Sequence, residues 1–293
     1  METIKEFAGV IGERIFEALP EIAEKTTVSI TEVVKNNDVT LTALCIKEDE
    51  SNIGMNIYLN DAYERYLKGK PLDLILSDLR ESYLNNRTEG VDVEWFNNWE
   101  TVRDRITCRV VNKELCKKRN DNVPYREFED LAITYVANCR VDGKNGTILI
   151  NNDHIKRWNI KEEDLWQAAQ DNFKNEGYTI QGITDVLNDM GYKDELPPLD
   201  DVPMFVVSNK TRFGGASVIA NKEFLNKILD KVGKNFFIIP SSIHEILCVP
   251  DDGKTDADTL REMIREVNDT QVEPEEVLSY NPYYYSEEGL KIA

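Results

Sequence analysis

Thr27-Val28-Ser29-Ile30-Thr31-Glu32-Val33-Val34, then Lys35-Asn36-Asn37-Asp38, then Val39-Thr40-Leu41-Thr42-Ala43-Leu44-Cys45-Ile46 is the stretch on which the fold turns. Both flanks are β-branched runs, and the residues between them tolerate positive φ, so the segment reads as an antiparallel hairpin. Residues 56–59 read as a third strand. Because strand runs along this chain come as hairpins rather than as alternating βα units, the expected class is α+β, with antiparallel sheets and helices packed on them.

Working outward, residues 6–23 place Phe7, Val10, Ile11, Ile15, Leu19 and Ile22 at helical spacing. Asn60 is a candidate cap for a helix carrying Tyr63, Tyr66 and Leu67, and a second helix after Pro71 carries Leu72, Ile75, Leu76, Leu79 and Leu84. Trp95, Phe96 and Trp99 suggest a further helix, and residues 106–111 a strand. Residues 131–139 and 147–150 read as a strand pair turned at 142–146, and residues 162–173 as a helix that buries Leu165, Trp166, Ala169 and Phe173. The tryptophans are expected in the core.

Asp194-Glu195-Leu196-Pro197-Pro198-Leu199-Asp200-Asp201 breaks both regular periods and is read as a linker. Two lobes are therefore expected, 1–195 with a subdivision near 90, and 202–293. In the second, residues 204–208 and 216–220 read as strands around a turn at 210–215. Asn221 caps a helix that stops at Gly233, residues 236–239 return as a strand, and Thr255 opens a last helix burying Leu260, Met263, Ile264 and Val267.

The chain has 293 residues, 41% of them hydrophobic, enough for a sizeable core. Its apolar runs are far shorter than the roughly 20 residues that cross a bilayer. The first residues, Met1-Glu2-Thr3-Ile4-Lys5-Glu6, lack the basic start and apolar run of a secretory signal, so a cytoplasmic location without membrane attachment is expected. Cys45, Cys108, Cys116, Cys139 and Cys248 contain no C-x-x-C pair, which fits a reducing compartment and points to neither a disulfide framework nor a zinc site. With 35 Lys and Arg against 54 Asp and Glu, the formal charge is −19. Such a balance opposes direct contact with nucleic acid.

Pro240-Ser241-Ser242-Ile243-His244-Glu245 brings a hydroxyl, an imidazole and a carboxylate together and holds one of only two histidines. Its leading reading is a helix start, Ser242 capping and Glu245 closing a capping box. The catalytic alternative is a hydrolase site of Ser242, His244 and Glu245, although no G-x-S-x-G elbow is present and adjacent positions spread the three groups apart. His244-Glu245-Ile246-Leu247-Cys248 resembles a metalloprotease helix in spacing only, and no metal or cofactor is expected. His154, at a helix start, reads as structural. Asn209 to Ser217 joins basic side chains to a Gly-Gly turn, and a hairpin loop that needs positive φ is preferred over an anion site. Tyr280, Tyr283, Tyr284 and Tyr285 are read as covering a sheet edge.

From 251 to 276, ten Asp and Glu meet only Lys254, Arg261 and Arg265, and Asp258–Arg261 and Glu262–Arg265 have helical ion-pair spacing. Asp251, Asp252, Glu273, Glu275 and Glu276 are the candidate partner-binding residues, because an acidic surface attracts a basic protein.

Val206-Val207-Ser208-Asn209, Gly214-Gly215-Ala216, Phe237-Ile238-Ile239-Pro240-Ser241-Ser242-Ile243-His244-Glu245 and Val272-Glu273-Pro274-Glu275-Glu276-Val277-Leu278-Ser279 resemble an uncharacterised bacterial domain-of-unknown-function family of Clostridia-type genomes. Residues 148–172, with a short helix ending in Trp158 before Glu162-Glu163-Asp164-Leu165-Trp166, are similar to a related uncharacterised bacterial family. The resemblance implies a soluble bacterial protein often carried near mobile-element genes and brings no catalytic residues. Taken with the charge, it makes a non-enzymatic interaction protein the expected function, an inhibitor or regulator of a nucleic-acid-handling host protein, as in host defence.

Overall fold

The computed structural model describes residues 1–88, 90–189, 191 and 204–293. The chain is an α+β protein with antiparallel sheets, and it divides into two compact units: Met1–Lys35, Val39–Glu94 and Arg140–Gly146 in the first, and Asn36–Asp38, Trp95–Cys139 and Thr147–Ala293 in the second. The principal division falls at Glu94, whereas the sequence reading places a lobe boundary at 195–202. Residues on both sides of that expected boundary share a sheet and a core, described below. The linker at 194–201 lies outside the described residues.

In the first unit, α1 (Ile4–Ala18) is capped by the Thr3 hydroxyl, which accepts the Glu6 N–H at 3.2 Å. The hairpin β1 (Thr26–Val34) and β2 (Thr40–Glu48) forms in unbroken register, and β3 (Met55–Tyr58) pairs with β2 to complete the order β1-β2-β3. The turn between β1 and β2, Asn36–Asp38, is counted with the second unit; in it Asn37 and Asp38 take φ of 56° and 54°, the left-handed geometry that an Asn-Asn-Asp turn favours. Helices α2 (Asn60–Leu67) and α3 (Leu72–Asn86) follow. Asn60 does not cap α2; its side-chain oxygen accepts the Thr42 N–H at 3.0 Å instead. Phe7, Ile11, Ile15 and Leu19 of the α1 stripe pack with Leu44, Ile46 and Ile57 of the sheet and with Ile75, Leu76, Leu79 and Tyr83 of α3.

The second unit begins with α4 (Trp99–Val102), β4 (Ile106–Asn112), α5 (Lys117–Asn120), β5 (Arg126–Phe128), and β6 (Leu131–Val141) and β7 (Lys144–Leu149) apart from their joining ends at Arg140–Gly146, which belong to the first unit. Its smaller sheet runs β4-β6-β5, with β7 on β6. After α6 (Asn152–Trp158), α7 (Glu162–Asn172), β8 (Thr179–Gly182), α8 (Ile183–Asp189) and β9 (Phe205–Ser208) come α9 (Lys222–Val232), β10 (Phe236–Ser242), β11 (Glu245–Pro250), α10 (Ala257–Thr270), β12 (Tyr283–Ser286) and β13 (Gly289–Ile292). The larger sheet runs β13-β12-β10-β11-β9-β8. Leu165, Val207, Leu225, Phe236, Ile238, Ile246, Tyr283 and Tyr285 meet Ile106, Ile133 and Tyr135 in a single core.

Several local expectations change. Residues 240–245 form a hairpin tip and not a helix start, since Ser242 pairs with Glu245 and the flanking β-branched residues continue as β10 and β11. The metalloprotease-like spacing therefore lies on a strand. Residues 215–220 make a 3₁₀ segment where a strand was expected. The tyrosine run is an internal strand, β12, with β13 outside it. In α10 only Leu260, Ile264 and Asn268 are buried; Met263 and Val267 are 40% and 41% exposed, because residues at i, i+4 and i+8 alone face the sheet.

Candidate functional site

The tip of the β10–β11 hairpin and the loop that follows β9 meet at one imidazole. Ser242 Oγ accepts the His244 backbone N–H at 3.0 Å and so fixes the tight turn. On the ring, Nδ1 accepts the Gly214 N–H at 3.0 Å and Nε2 lies 3.2 Å from Glu276 Oε1. A backbone amide only donates, so Nδ1 is the unprotonated nitrogen and Nε2 carries the hydrogen toward the carboxylate. The Phe213 ring stands 5.3 Å from the imidazole.

This geometry brings Ser242, His244 and Glu245 together in sequence but not into a relay. The serine hydroxyl meets the main chain, both ring nitrogens are engaged elsewhere, and the carboxylate at the ring belongs to Glu276 and not to Glu245. Proton abstraction from Ser242 would require a nitrogen that is already occupied.

Gly214 and Gly215 explain why the loop can sit so close. Gly214 has φ of 65°, and a Cβ there would lie 2.3 Å from Arg109 Cδ. A Cβ on Gly215 would lie 2.4 Å from Ser208 Oγ, 2.6 Å from His244 O and 2.7 Å from Asn209 N. The hairpin reading expected positive φ from the Gly-Gly pair; Gly214 alone has it, no second hairpin strand follows, and Gly215 is required by close packing instead.

Beneath the loop is a polar cluster that the sequence reading missed. Arg109 and Glu176 form a 3.5 Å ion pair with side chains only 12% and 8% exposed. Asn209 Nδ2 donates to Glu176 Oε2 at 3.0 Å and to Phe213 O at 3.0 Å, while its Oδ1 accepts from Phe213 N and Thr211 Oγ1. The Tyr178 hydroxyl and Ser217 Oγ lie 2.6 Å apart, and Ser217 donates to Gly214 O at 2.8 Å. Burial, and after it the Glu176 charge, lifts the Tyr178 hydroxyl well above the ordinary tyrosine range. The same causes push the neighbouring Cys108 thiol up to about 12, leaving it un-ionised at neutral pH. Arg109 Nε has no hydrogen-bond partner among the described residues. The available signal was a single arginine inside the otherwise apolar-rich strand Ile106-Thr107-Cys108-Arg109-Val110-Val111.

The five candidate partner-binding carboxylates differ in their commitments. Asp251 accepts from the Tyr284 hydroxyl at 2.8 Å and from Gly253 N at 2.8 Å. Asp252 Oδ1 gathers Lys254 N, Thr255 N and Thr255 Oγ1, and these hydrogen bonds hold its carboxyl down at about 2. Asp256, not Thr255, caps α10. Glu276 holds His244, while Glu273 is exposed and Glu275 half-buried, and neither carboxylate makes a hydrogen bond or ion pair among the described residues. Asp258 pairs with Arg261 as its spacing implied, but Glu262 and Arg265 do not pair.

His154 proves structural: its Nδ1 accepts the Asn151 N–H at 3.1 Å in a capping box, and its ring stacks on Trp158. Burial lowers its pKa below the ordinary histidine value. In the first unit an open pocket of about 550 Å³ is lined by Glu21, Ile22, Lys25, Glu48, Asp49, Glu50, Ser51 and Arg87. Glu48 is occupied there, accepting from the Tyr83 hydroxyl at 2.6 Å and from Arg87 at 3.1 Å. Among the described residues no group of three or more His, Cys, Asp or Glu is placed to hold a metal ion, and no helix is long and apolar enough to cross a membrane.

Fold and clusters together define an α+β protein whose polar side chains chiefly lock loops to sheets. A family model spanning residues 4–287 matches the sequence, and the chain belongs to that family, a family of unknown function (DUF5688). One model covers both stretches in which the sequence resembled uncharacterised families. Searches of curated proteins and of solved structures gave no match.

Proposed function

We propose that this protein is a non-enzymatic interaction protein that engages a basic, nucleic-acid-handling host protein through an acidic surface, in the manner of a mobile-element-borne inhibitor or regulator. The observation that carries the reading is the −19 charge together with carboxylates, Glu273 and Glu275, that make no bond among the described residues. Glu276 adds charge at the tip of the β10–β11 hairpin, whereas Asp251 and Asp252 lie at the opposite end of that hairpin and anchor the loop there. Repulsion of phosphates fits a partner that is itself the nucleic-acid binder.

The test begins with affinity purification from the native host and mass spectrometry of what is retained. Association rates of the identified protein are then followed across a salt series for the native chain and for Glu273→Lys with Glu275→Lys. Charge reversal at a rim should slow association by about tenfold at low salt and flatten the salt slope, with folding intact by circular dichroism. A nucleic-acid-binding partner with an unchanged on-rate would remove this surface from the account, and recovery of a partner without basic character would defeat the reading.

A further inference from the structure

Among the described residues no strand pairs with the outer edge of β1 in the first unit. In its three-stranded sheet β1 is an outer strand of nine residues, held to β2 in an unbroken register. The Lys35 N–H donates to Val39 O and the Asp49 N–H to Lys25 O, which makes Lys35–Val39 and Lys25–Asp49 hydrogen-bonded pairs of the antiparallel ladder. By alternation the odd-numbered residues of β1 bond inward to β2. The backbone groups of Thr26, Val28, Ile30, Glu32 and Val34 therefore point away from the sheet.

Soluble proteins blunt such edges with proline, bulges, lysines or very short strands. None of these devices is present in Thr26–Val34: the run has no Pro, Gly or Lys, one charge at Glu32, and no register shift. Ile30 and Val34 are 41% and 44% exposed along it. The edge is thus long and regular, with Val28, Ile30, Val33 and Val34 as its apolar residues.

We infer that β1 is a homodimerisation edge, pairing antiparallel with β1 of a second copy about a two-fold axis at Ser29. Charge selects this register from its neighbours. With Ser29 opposite its own copy, Val28 faces Ile30, Thr26 faces Glu32, Thr27 faces Thr31 and Val34 faces Glu24 of the second chain, so the exposed Ile30 is covered by an apolar partner and no like charges oppose. Moving the axis to Ile30 sets Lys25 against Lys35 at both ends, and moving it to Val28 sets Glu24 against Glu32. The even-numbered residues supply the intermolecular hydrogen bonds, and Ser29 lies at a pair where side chains approach most closely.

Ser29 is exposed and faces away from the core partners of Ile30 and Leu44, so a charge there leaves the fold in place. Light scattering coupled to size exclusion, run at tens of micromolar, should report a dimer for the native chain. Ser29→Lys and Ser29→Glu, each of which sets like charges against each other at the axis, should weaken the dimer by at least about tenfold. An equimolar mixture of the two should regain the dimer mass as a heterodimer, which neither a folding defect nor a remote interface would produce. A monomeric native chain, dimers that persist in both variants, or a mixture that stays monomeric would each overturn the assignment.

Discussion

Gly215→Ala tests how the second unit is locked. The added Cβ would stand 2.4 Å from Ser208 Oγ, 2.6 Å from His244 O and 2.7 Å from Asn209 N. Two of these three obstacles are backbone atoms, which cannot rotate aside as a flexible side chain would. Overpacking of this kind costs roughly 1–3 kcal/mol. Displacing the strands also strains the 2.8 Å bond from Ser208 Oγ to His244 O, worth about 1 kcal/mol. The expected loss is about 2–4 kcal/mol, a fall in Tm of roughly 5–12 °C for a unit of this size. Urea titration and thermal melts measure it. Adding Ser208→Ala removes only the nearest obstacle and should restore the smaller part of the loss. In contrast Gly9→Ala, inside α1 with nothing within 4 Å of its Cβ, should raise stability by up to about 1 kcal/mol. A loss below about 1 kcal/mol at Gly215, or full rescue by Ser208→Ala, would refute the argument that backbone contact dictates glycine here.

Glu176→Gln leaves the buried Arg109 guanidinium without its carboxylate and should destabilise by about 3 kcal/mol, part of which Arg109→Met with Glu176→Leu regains; equal denaturation midpoints for native and Glu176→Gln chains would count against a charged pair. Ser242→Ala removes the acceptor for the His244 N–H and should cost about 1 kcal/mol in chemical denaturation, with no cost if the turn holds by backbone alone. Cys108 and Cys248, whose thiols burial holds un-ionised, should resist maleimide at pH 8 until the chain is unfolded, and prompt native labelling of either, read by mass spectrometry, would contradict their burial. The Asp252 carboxyl is held at about 2, below its unfolded value, so its stabilising contribution is present above about pH 4 and is lost as the pH falls through about 2. Carbon-detected titration of that carboxyl should show this low midpoint, and a midpoint near 4 would mean that the loop bonds to Lys254 and Thr255 do not form in solution.

Periodicity and turn chemistry were enough to find most of the helices and the β1–β2 hairpin. Phe7, Ile11, Ile15 and Leu19 recur at a spacing that has one structural meaning, and Asn36-Asn37-Asp38 between two β-branched runs has nearly as few. The hairpin tip at Ser242 was misread because Ser-x-x-Glu serves two geometries equally well: a hydroxyl that accepts a nearby N–H closes a tight turn as readily as it starts a helix. What decided between them was the pairing of Phe237 with Val249 and with Tyr284, which is a property of distant segments. The Arg109–Glu176 cluster was hidden for the same reason, since its partners come from β4, the segment after α7 and the loop after β9. Charge was visible as a total, but the distinction between Glu276, which is occupied, and Glu273, which is not, exists only in three dimensions.

The His244 ring has a handedness of function that follows from its two unlike partners. Gly214 offers a hydrogen and Glu276 asks for one, so the imidazole sits between them as a one-way connector: turned end for end, it would present a hydrogen to the amide and a lone pair to the carboxylate, and both contacts would repel. Two loops far apart in the chain are thereby joined through a single tautomer. Without the Glu276 carboxylate the ring would lose the acceptor for its Nε2 hydrogen, while the Gly214 amide would still require a lone pair on Nδ1.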